Sequence, residues 1–314
     1  MQPTAVISSK AEGLIYINGR LAGETAPDTP LILPVTPNGV IYMEFIPFSL
    51  RFRPAAYRLK MTSGEPDITA SDEKLRLLIW PGGVIEISLT PLTAVPAESE
   101  YGIIDGSPAA MLRGAASLLR IGQSSVALPD SAQLPDKHIT VNGCELYRGT
   151  FPGGEYAALF SSNDLSPKGA MTGDSISVDG GNIISVTSLS DVTGHLRRDI
   201  YSLSPDGLTL QDSDIIFPES GPAQPTGAES TALAAAEALL LGLSDEAAGF
   251  MDCRTPVLPG DVQYAMPMKY GVPDSQPAIA LISRLSENAA KASPLYYKSA
   301  LQPDGRYKIT GFHI

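Results

Sequence analysis

The sequence predicts a mainly β protein with a C-terminal α+β domain: antiparallel β-sandwich or barrel domains followed by a helix and a curved sheet. Three observations lead there. Asn18-Gly19, Asn142-Gly143, Gly153-Gly154, Asp179-Gly180-Gly181, Asp206-Gly207 and Asp304-Gly305 each separate short strand-like runs, and such pairs supply the φ > 0 positions of tight hairpin turns. The 27 Pro and 29 Gly suit many turns between short strands. Only from Ala228 to Leu243 does the composition become strongly helix-forming, rich in Ala and Leu.

A chain of 314 residues exceeds the size at which one core usually keeps growing, so two or three domains are expected, and 43% hydrophobic residues suffice to build their cores. The net charge of −12 argues against nucleic acid or an anionic membrane as partner. Arg51-Phe52-Arg53 and Arg197-Arg198 are the most basic spots and read as solvent-facing strand residues. Cys144 and Cys253 are too far apart to suggest a disulfide framework. No window approaches the length of a membrane span, and Met1-Gln2-Pro3-Thr4 does not open an export signal. If Met1 is the native start, a cytoplasmic protein is expected; a chain cut from a longer gene product would suit an envelope-associated module.

In chain order, residues 1–93 read as a first β domain, with strands at Ala5 to Ser8, Leu14 to Ile17, Leu31 to Leu33, Val40 to Ile46, Tyr57 to Met61, Leu75 to Trp80 and Val84 to Leu89. Pro27, Pro30, Pro34 and Pro37 interrupt the early part, where proline cannot donate to a central ladder. Within it, LIYINGRLAGETAPDTPLILPVTPNGVIYMEFIP resembles a PEGA-type repeat, with Gly19, Gly23, Thr25, Pro30, Leu31 and Gly39 at the matching positions. The resemblance implies a non-catalytic packing or binding module of a kind common in surface and multidomain proteins.

Ala94 to Glu100 is small, polar and proline-containing, a boundary signal. Residues 101–218 then read as an antiparallel meander, with a barrel, sandwich or curved sheet preferred over propeller blades, which need longer units in several copies. Asp191, His195, Arg197, Arg198 and Asp199 lie within a few residues of one another, a grouping that can do acid–base work. Their alternation fits a solvated hairpin better. Ser161 to Asp174 is a polar loop with carboxylates but lacks calcium-loop spacing.

Glu219 to Gly227 is the clearest linker. Beyond it, residues 228–314 form the expected α+β domain. Thr226 and Glu229 have capping-box spacing, Leu233, Ala236, Leu240 and Leu243 share a helix face, and Ser244-Asp245-Glu246 starts a second short helix. Tyr264, Met266, Met268 and Tyr270 alternate along a strand, a face expected either to pack on Leu233, Leu240 and Leu243 or to line a cavity; packing is favoured because the Ala-rich helix allows close approach. Strands at Ala278 to Leu285, Leu295 to Leu301 and Tyr307 to Phe312 follow. This pattern resembles the cystatin-like or nuclear-transport-factor-two-like cone fold, in which a sheet wraps a helix and leaves a pocket at the open end. In enzymes of that fold a pocket Asp, His or Tyr handles protons, so the resemblance implies Asp252, Tyr264, Tyr270 and His313 as candidates, with Met266 and Met268 beside them.

Ser71-Asp72-Glu73-Lys74 fits S-x-x-K without its partner motifs. There is no phosphate loop, dinucleotide fingerprint, G-x-S-x-G or H-E-x-x-H, and His138, His195 and His313 are scattered. No metal, cofactor or catalytic residue is therefore assigned. The expected function is non-enzymatic binding or scaffolding through protein contacts; the rival is a small-molecule-binding, hydrolytic or isomerising activity in the C-terminal pocket.

Overall fold

The turn at Asn18-Gly19 forms as its chemistry dictates, with φ of 50° and 75°, the left-handed pair of a type I′ hairpin. Asn18 adds its own restraint, since its Oδ1 accepts the Tyr42 N–H at 3.0 Å. Asn142-Gly143 repeats the geometry at 48° and 78°. This computed structural model describes residues 4–34, 40–49, 51–60, 67–70, 75–91, 99–104, 106–113, 117–273 and 275–313. Ser71 to Lys74, the Asn38-Gly39 pair and residues 94–98 of the first expected boundary lie outside the described residues. Residues Met1–Thr93 and Gln224–Ile314 make one compact unit and Ala94–Ala223 another.

In the first unit, the strands before residue 94 are β1 (Thr4–Ser9), β2 (Gly13–Ile17), β3 (Arg20–Thr25), β4 (Leu31–Pro34), β5 (Val40–Pro47), β6 (Ala55–Lys60), β7 (Asp67–Ala70), β8 (Leu75–Trp80) and β9 (Val84–Leu89). One sheet runs β3-β2-β5-β6-β7. Facing it are β4-β1-β9-β8, and the layer between holds Ile7, Ile15, Phe45, Leu59, Leu75 and Ile87 among others, all buried. Alternation puts these side chains inward and leaves Leu21, Tyr42 and Ile46 exposed on the outer face of the five-stranded sheet.

The sheet does not stop at β8. After residue 224 the unit adds α1 (Ala228–Leu240), α2 (Ser244–Phe250) and four strands, which we number β22 (Val262–Pro267), β23 (Ala278–Arg284), β24 (Ala289–Leu301) and β25 (Tyr307–His313) after the twelve of the second unit. β24 runs parallel to β8, pairing Ala289 with Leu77 and Lys291 with Ile79, and the sheet continues β24-β23-β22 with β25 alongside the far half of β24. The sequence sets residues 228–314 apart as a third domain; the structure joins them to residues 1–93 through this pairing. The physical reason is burial. Leu77 and Ala289 are 3% and 5% exposed, and a free edge at either strand would leave backbone N–H and C=O groups unpaired beside that buried apolar surface.

α1 packs on β22, β23, β24 and β25 and is buried continuously from Thr231 to Ala236, so it behaves as a core helix rather than an amphipathic surface one. Its cap is one residue later than the sequence suggests. Gly227 is the N-cap, and its N–H donates to Ser230 Oγ at 2.9 Å, the reach-back half of a capping box; Thr226 and Glu229 do not form one.

The second unit contains β10 (Ser99–Ile104), β11 (Ser107–Arg113), β12 (Ser117–Ile121), β13 (Ser124–Leu128), β14 (Lys137–Val141), β15 (Cys144–Phe151), β16 (Gly154–Ser161), β17 (Pro167–Gly173), β18 (Ser175–Asp179), β19 (Asn182–Ser188), β20 (Leu196–Ser204) and β21 (Gly207–Ile216). They form three four-stranded antiparallel meanders, β10–β13, β14–β17 and β18–β21, stacked with the second in the middle. Of the expected barrel, sandwich or single curved sheet, the layered form is present, with three layers. β16 shows why: Tyr156, Ala158 and Phe160 pack with Met111 and Leu119 of the first meander, while Ala157 and Leu159 pack with Ile176 and Ile183 of the third. Tyr156 lies across Gly149, where a Cβ would stand 2.6 Å from its hydroxyl, and that hydroxyl donates to the Gln133 carbonyl at 2.6 Å.

Candidate functional site

A groove of about 770 Å³ opens on the outer face of the long sheet in the first unit, where β8 meets β24. Register explains it. Arg284, Ala290, Leu78 and Glu86 form one cross-strand row over β23, β24, β8 and β9, so the short Ala290 lies between long neighbours and leaves a trough. Leu78, Ala290 and Met266 give it apolar surface; Arg76, Arg284 and Lys269 give it charge.

The charges are not equivalent. Lys269 Nζ pairs with Glu86 Oε1 at 3.2 Å, and Glu86 Oε2 accepts the Trp80 indole N–H at 3.0 Å, so both are committed. Arg76 Nη1 donates to the Glu287 carbonyl at 3.0 Å and Arg284 Nε to the Ser286 carbonyl at 3.1 Å. Two guanidiniums thus converge on consecutive carbonyls of the β23–β24 turn. Among the described residues neither has a carboxylate partner.

Of the six residues singled out from sequence, Tyr264 and Met266 line this groove. Met268 and Tyr270 lie past the end of β22 and pack, with Met266, against Trp80, Ala280, Ile282 and Ala292; the Tyr270 ring meets Trp80 edge-on at 5.6 Å. The expected packing of this face on Leu233, Leu240 and Leu243 is therefore replaced by packing on Trp80 of the N-terminal segment, because the cross-strand partners Ala280 and Ile282 belong to the Trp80 cluster. Asp252 and His313 do not join the groove. Asp252 is exposed, with its N–H bonded to the Ile309 carbonyl at 2.8 Å, and the exposed His313 stacks on Tyr296 at 5.3 Å. Arg76, Arg284, Lys269 and Glu86 escape a sequence reading because the segments that carry them meet only in the folded sheet.

The segment around His195 is buried rather than solvated. His195 is 0% exposed and Asp199 6%. Asp191 Oδ2 meets His195 Nδ1 at 2.5 Å, while its Oδ1 accepts the N–H groups of Gly194 and His195 at 2.8 and 2.7 Å. The imidazole lies 4.6 Å from the Phe217 ring, and the Thr193 carbonyl accepts the Ala223 N–H at 2.9 Å. Sequence alone misjudges the site because Asp191 and Thr193 both bond the buried imidazole at Nδ1, which offsets part of the cost of burial. The pair fastens a loop to the segment leaving the second unit. Arg197 and Arg198 are half-exposed, bound to Asp199 at 3.0 Å and to Asp214 at 2.6 Å.

Of the stretch expected as one polar loop, Pro167–Gly173 is strand β17, which leaves only a short turn before it. In that turn Asp164 Oδ1 accepts the Ser166 N–H at 3.0 Å, a bond that holds the exposed carboxyl down to about 2, whereas Asp174, beyond the strand, is engaged separately by the Ser188 N–H. No group of three or more His, Cys, Asp or Glu suited to a metal occurs among the described residues. Burial pushes the Cys144 thiol up, and its S–H points to the Ser204 carbonyl at 3.4 Å. No helix among the described residues is long and apolar enough to cross a membrane. Compared with known proteins, the chain matches no family model and no curated protein.

Proposed function

We propose that the protein is a non-enzymatic recognition or scaffolding protein that holds a partner polypeptide in the groove between Arg76, Arg284 and Tyr264. The observation that supports this most is the trough over Ala290: an open recess with an apolar floor and a polar rim, the combination by which binding sites orient a ligand. Its rim residues hold neighbouring carbonyls and one another, an arrangement suited to gripping a chain rather than transferring protons. The PEGA-like character of the first segment points the same way. So does the outer face of the five-stranded sheet, where Leu21, Tyr42 and Ile46 are solvent-exposed, since apolar surface gathered on one face marks protein interaction sites.

The test is selection of random heptapeptides displayed on phage against the full chain, its Ala290→Phe variant, which fills the trough, and its Tyr264→Ala variant, which removes part of the rim. Wild type should enrich a related set of sequences that Ala290→Phe no longer retains and Tyr264→Ala retains less well. No enrichment, or enrichment that both variants preserve while melting like wild type, would overturn the reading.

A further inference from the structure

Resting on the polypeptide-binding reading above, we propose that the groove recognises acidic segments of its partner, with Arg76 and Arg284 binding side-chain carboxylates while the floor takes an adjoining apolar residue. Three observations lead to this. First, charge: the chain as a whole is −12, yet this recess carries three cations, and the acids in it do not cancel them. Lys269 is matched by Glu86, whose second oxygen already serves Trp80. Among the described lining residues, that leaves Arg76 and Arg284 against the exposed carboxylate of Glu287, a local excess of positive charge. Such complementarity selects acidic partners and speeds their encounter.

Second, geometry. Arg284 spends Nε on the Ser286 carbonyl, which leaves both terminal nitrogens available; Arg76 spends Nη1 on the Glu287 carbonyl. Anchoring by one bond fixes each guanidinium plane while the remaining donors keep the fork geometry that matches a carboxylate. Held arginines lose less rotamer freedom on binding than free ones. Third, the floor. Leu78, Ala290 and Met266 lie beside the guanidiniums, so an acid alone would leave apolar surface wet, whereas an acid next to Leu, Val or Phe covers it.

The selection described above supplies the probe: its most enriched peptide, synthesised with blocked termini, and an analogue in which every Asp and Glu becomes Asn and Gln. Both are titrated calorimetrically into the full chain and into Arg76→Gln, Arg284→Gln, the double variant, and Arg284→Lys, which keeps the charge and loses the fork. The enriched peptide should contain Asp or Glu beside an apolar residue, and its neutral analogue should bind roughly tenfold more weakly or worse, about 1.4 kcal/mol. The double variant should bind acidic and neutral peptides alike, Arg284→Lys should fall between, and rising salt should weaken the acidic peptide alone. Both arginines are exposed, so unchanged melting is expected of all four proteins, with Arg284→Lys as the guard against a misfolded glutamine variant. Enriched peptides without acids, or equal binding of the neutral analogue, would overturn the acidic preference and leave polypeptide binding standing. Competition by millimolar inorganic phosphate as strong as by the peptide would also overturn it, reassigning the groove to a small anion. A selection that enriches nothing removes both readings.

Discussion

Replacing Glu155 should loosen the junction between the second and third meanders in a way that depends on pH. Glu155 Oε2 accepts the Ile176 N–H at 2.8 Å and Arg148 Nη2 at 2.9 Å, and Arg148 also donates to the Ile176 carbonyl. One carboxylate therefore holds β16, β15 and β18 together. Hydrogen bonds to a charged group are worth about 1.5–3 kcal/mol each. Here two share one oxygen on a side chain that is 31% exposed, so solvent screening reduces the sum, and Glu155→Ala should cost about 2 kcal/mol. For a unit of this size that lowers Tm by roughly 6–10 °C. Burial works against the charge, but the Ile176 N–H and Arg148 together outweigh it and leave the carboxyl below its ordinary value of 4.5. A depressed folded pKa contributes stability that is complete above the unfolded pKa and disappears as pH falls through the folded one. The deficit of Glu155→Gln relative to wild type should therefore be largest near pH 7 and shrink below about 4.5, because other carboxylates titrate equally in both proteins. Calorimetry of the full chain across pH, with exchange of the Ile176 amide as a local reporter, measures it. A deficit that is absent at pH 7, or constant from pH 7 to 3.5, refutes the reasoning.

Two further outcomes follow from the backbone. Gly19→Val should cost about 1–3 kcal/mol although an added Cβ at Gly19 meets nothing within 4 Å; the strain at φ 75° is then the whole effect, so Gly19→Asn should be nearly silent in thermal melts, and equal losses for both would mean that packing, not φ, is at stake. Limited proteolysis in the exposed Glu219–Ser220 segment should give a C-terminal fragment that co-elutes with the rest of the chain on native gel filtration and separates only in denaturant, because β8 and β24 share a ladder; a free, folded fragment in buffer would contradict that ladder.

What the sequence could show divides by range. Hairpins were legible because Asn18-Gly19 and Asn142-Gly143 carry their turn geometry locally, and α1 because Ala and Leu favour helix wherever they stand. The pairing of Leu77 with Ala289 was not legible: parallel strands brought together by the whole intervening chain leave no turn between them to read. Nor was the stacking of the meanders, since Tyr156 to Phe160 is buried on both faces and so lacks the alternation that assigns a face. His195 misled for a third reason. Residue type predicts exposure only while polar groups lack partners, and Asp191 and Thr193 supply them. The groove combines the first and second difficulties, because Arg76 and Arg284 are ordinary exposed arginines until the parallel ladder sets them over one turn.

Small residues have opposite consequences on the two faces of the C-terminal sheet. On one, the alanines of α1 let the helix approach β22 to β25, and Ile279, Leu281 and Leu295 are sealed to below 2% exposure. On the other, Ala280, Ala290 and Ala292 open the same kind of space, but only part of it is filled. Trp80, fixed by its bond to Glu86 and braced by Tyr270, covers Ala280 and Ala292. One row along, β8 carries Leu78 instead of a ring and β23 carries Arg284, whose head turns to the Ser286 carbonyl rather than across Ala290. The recess therefore ends where Trp80 begins. The chain's single tryptophan thus closes the core beside the groove without lining it, and its indole N–H holds Glu86, which does line the groove and keeps Lys269 paired there.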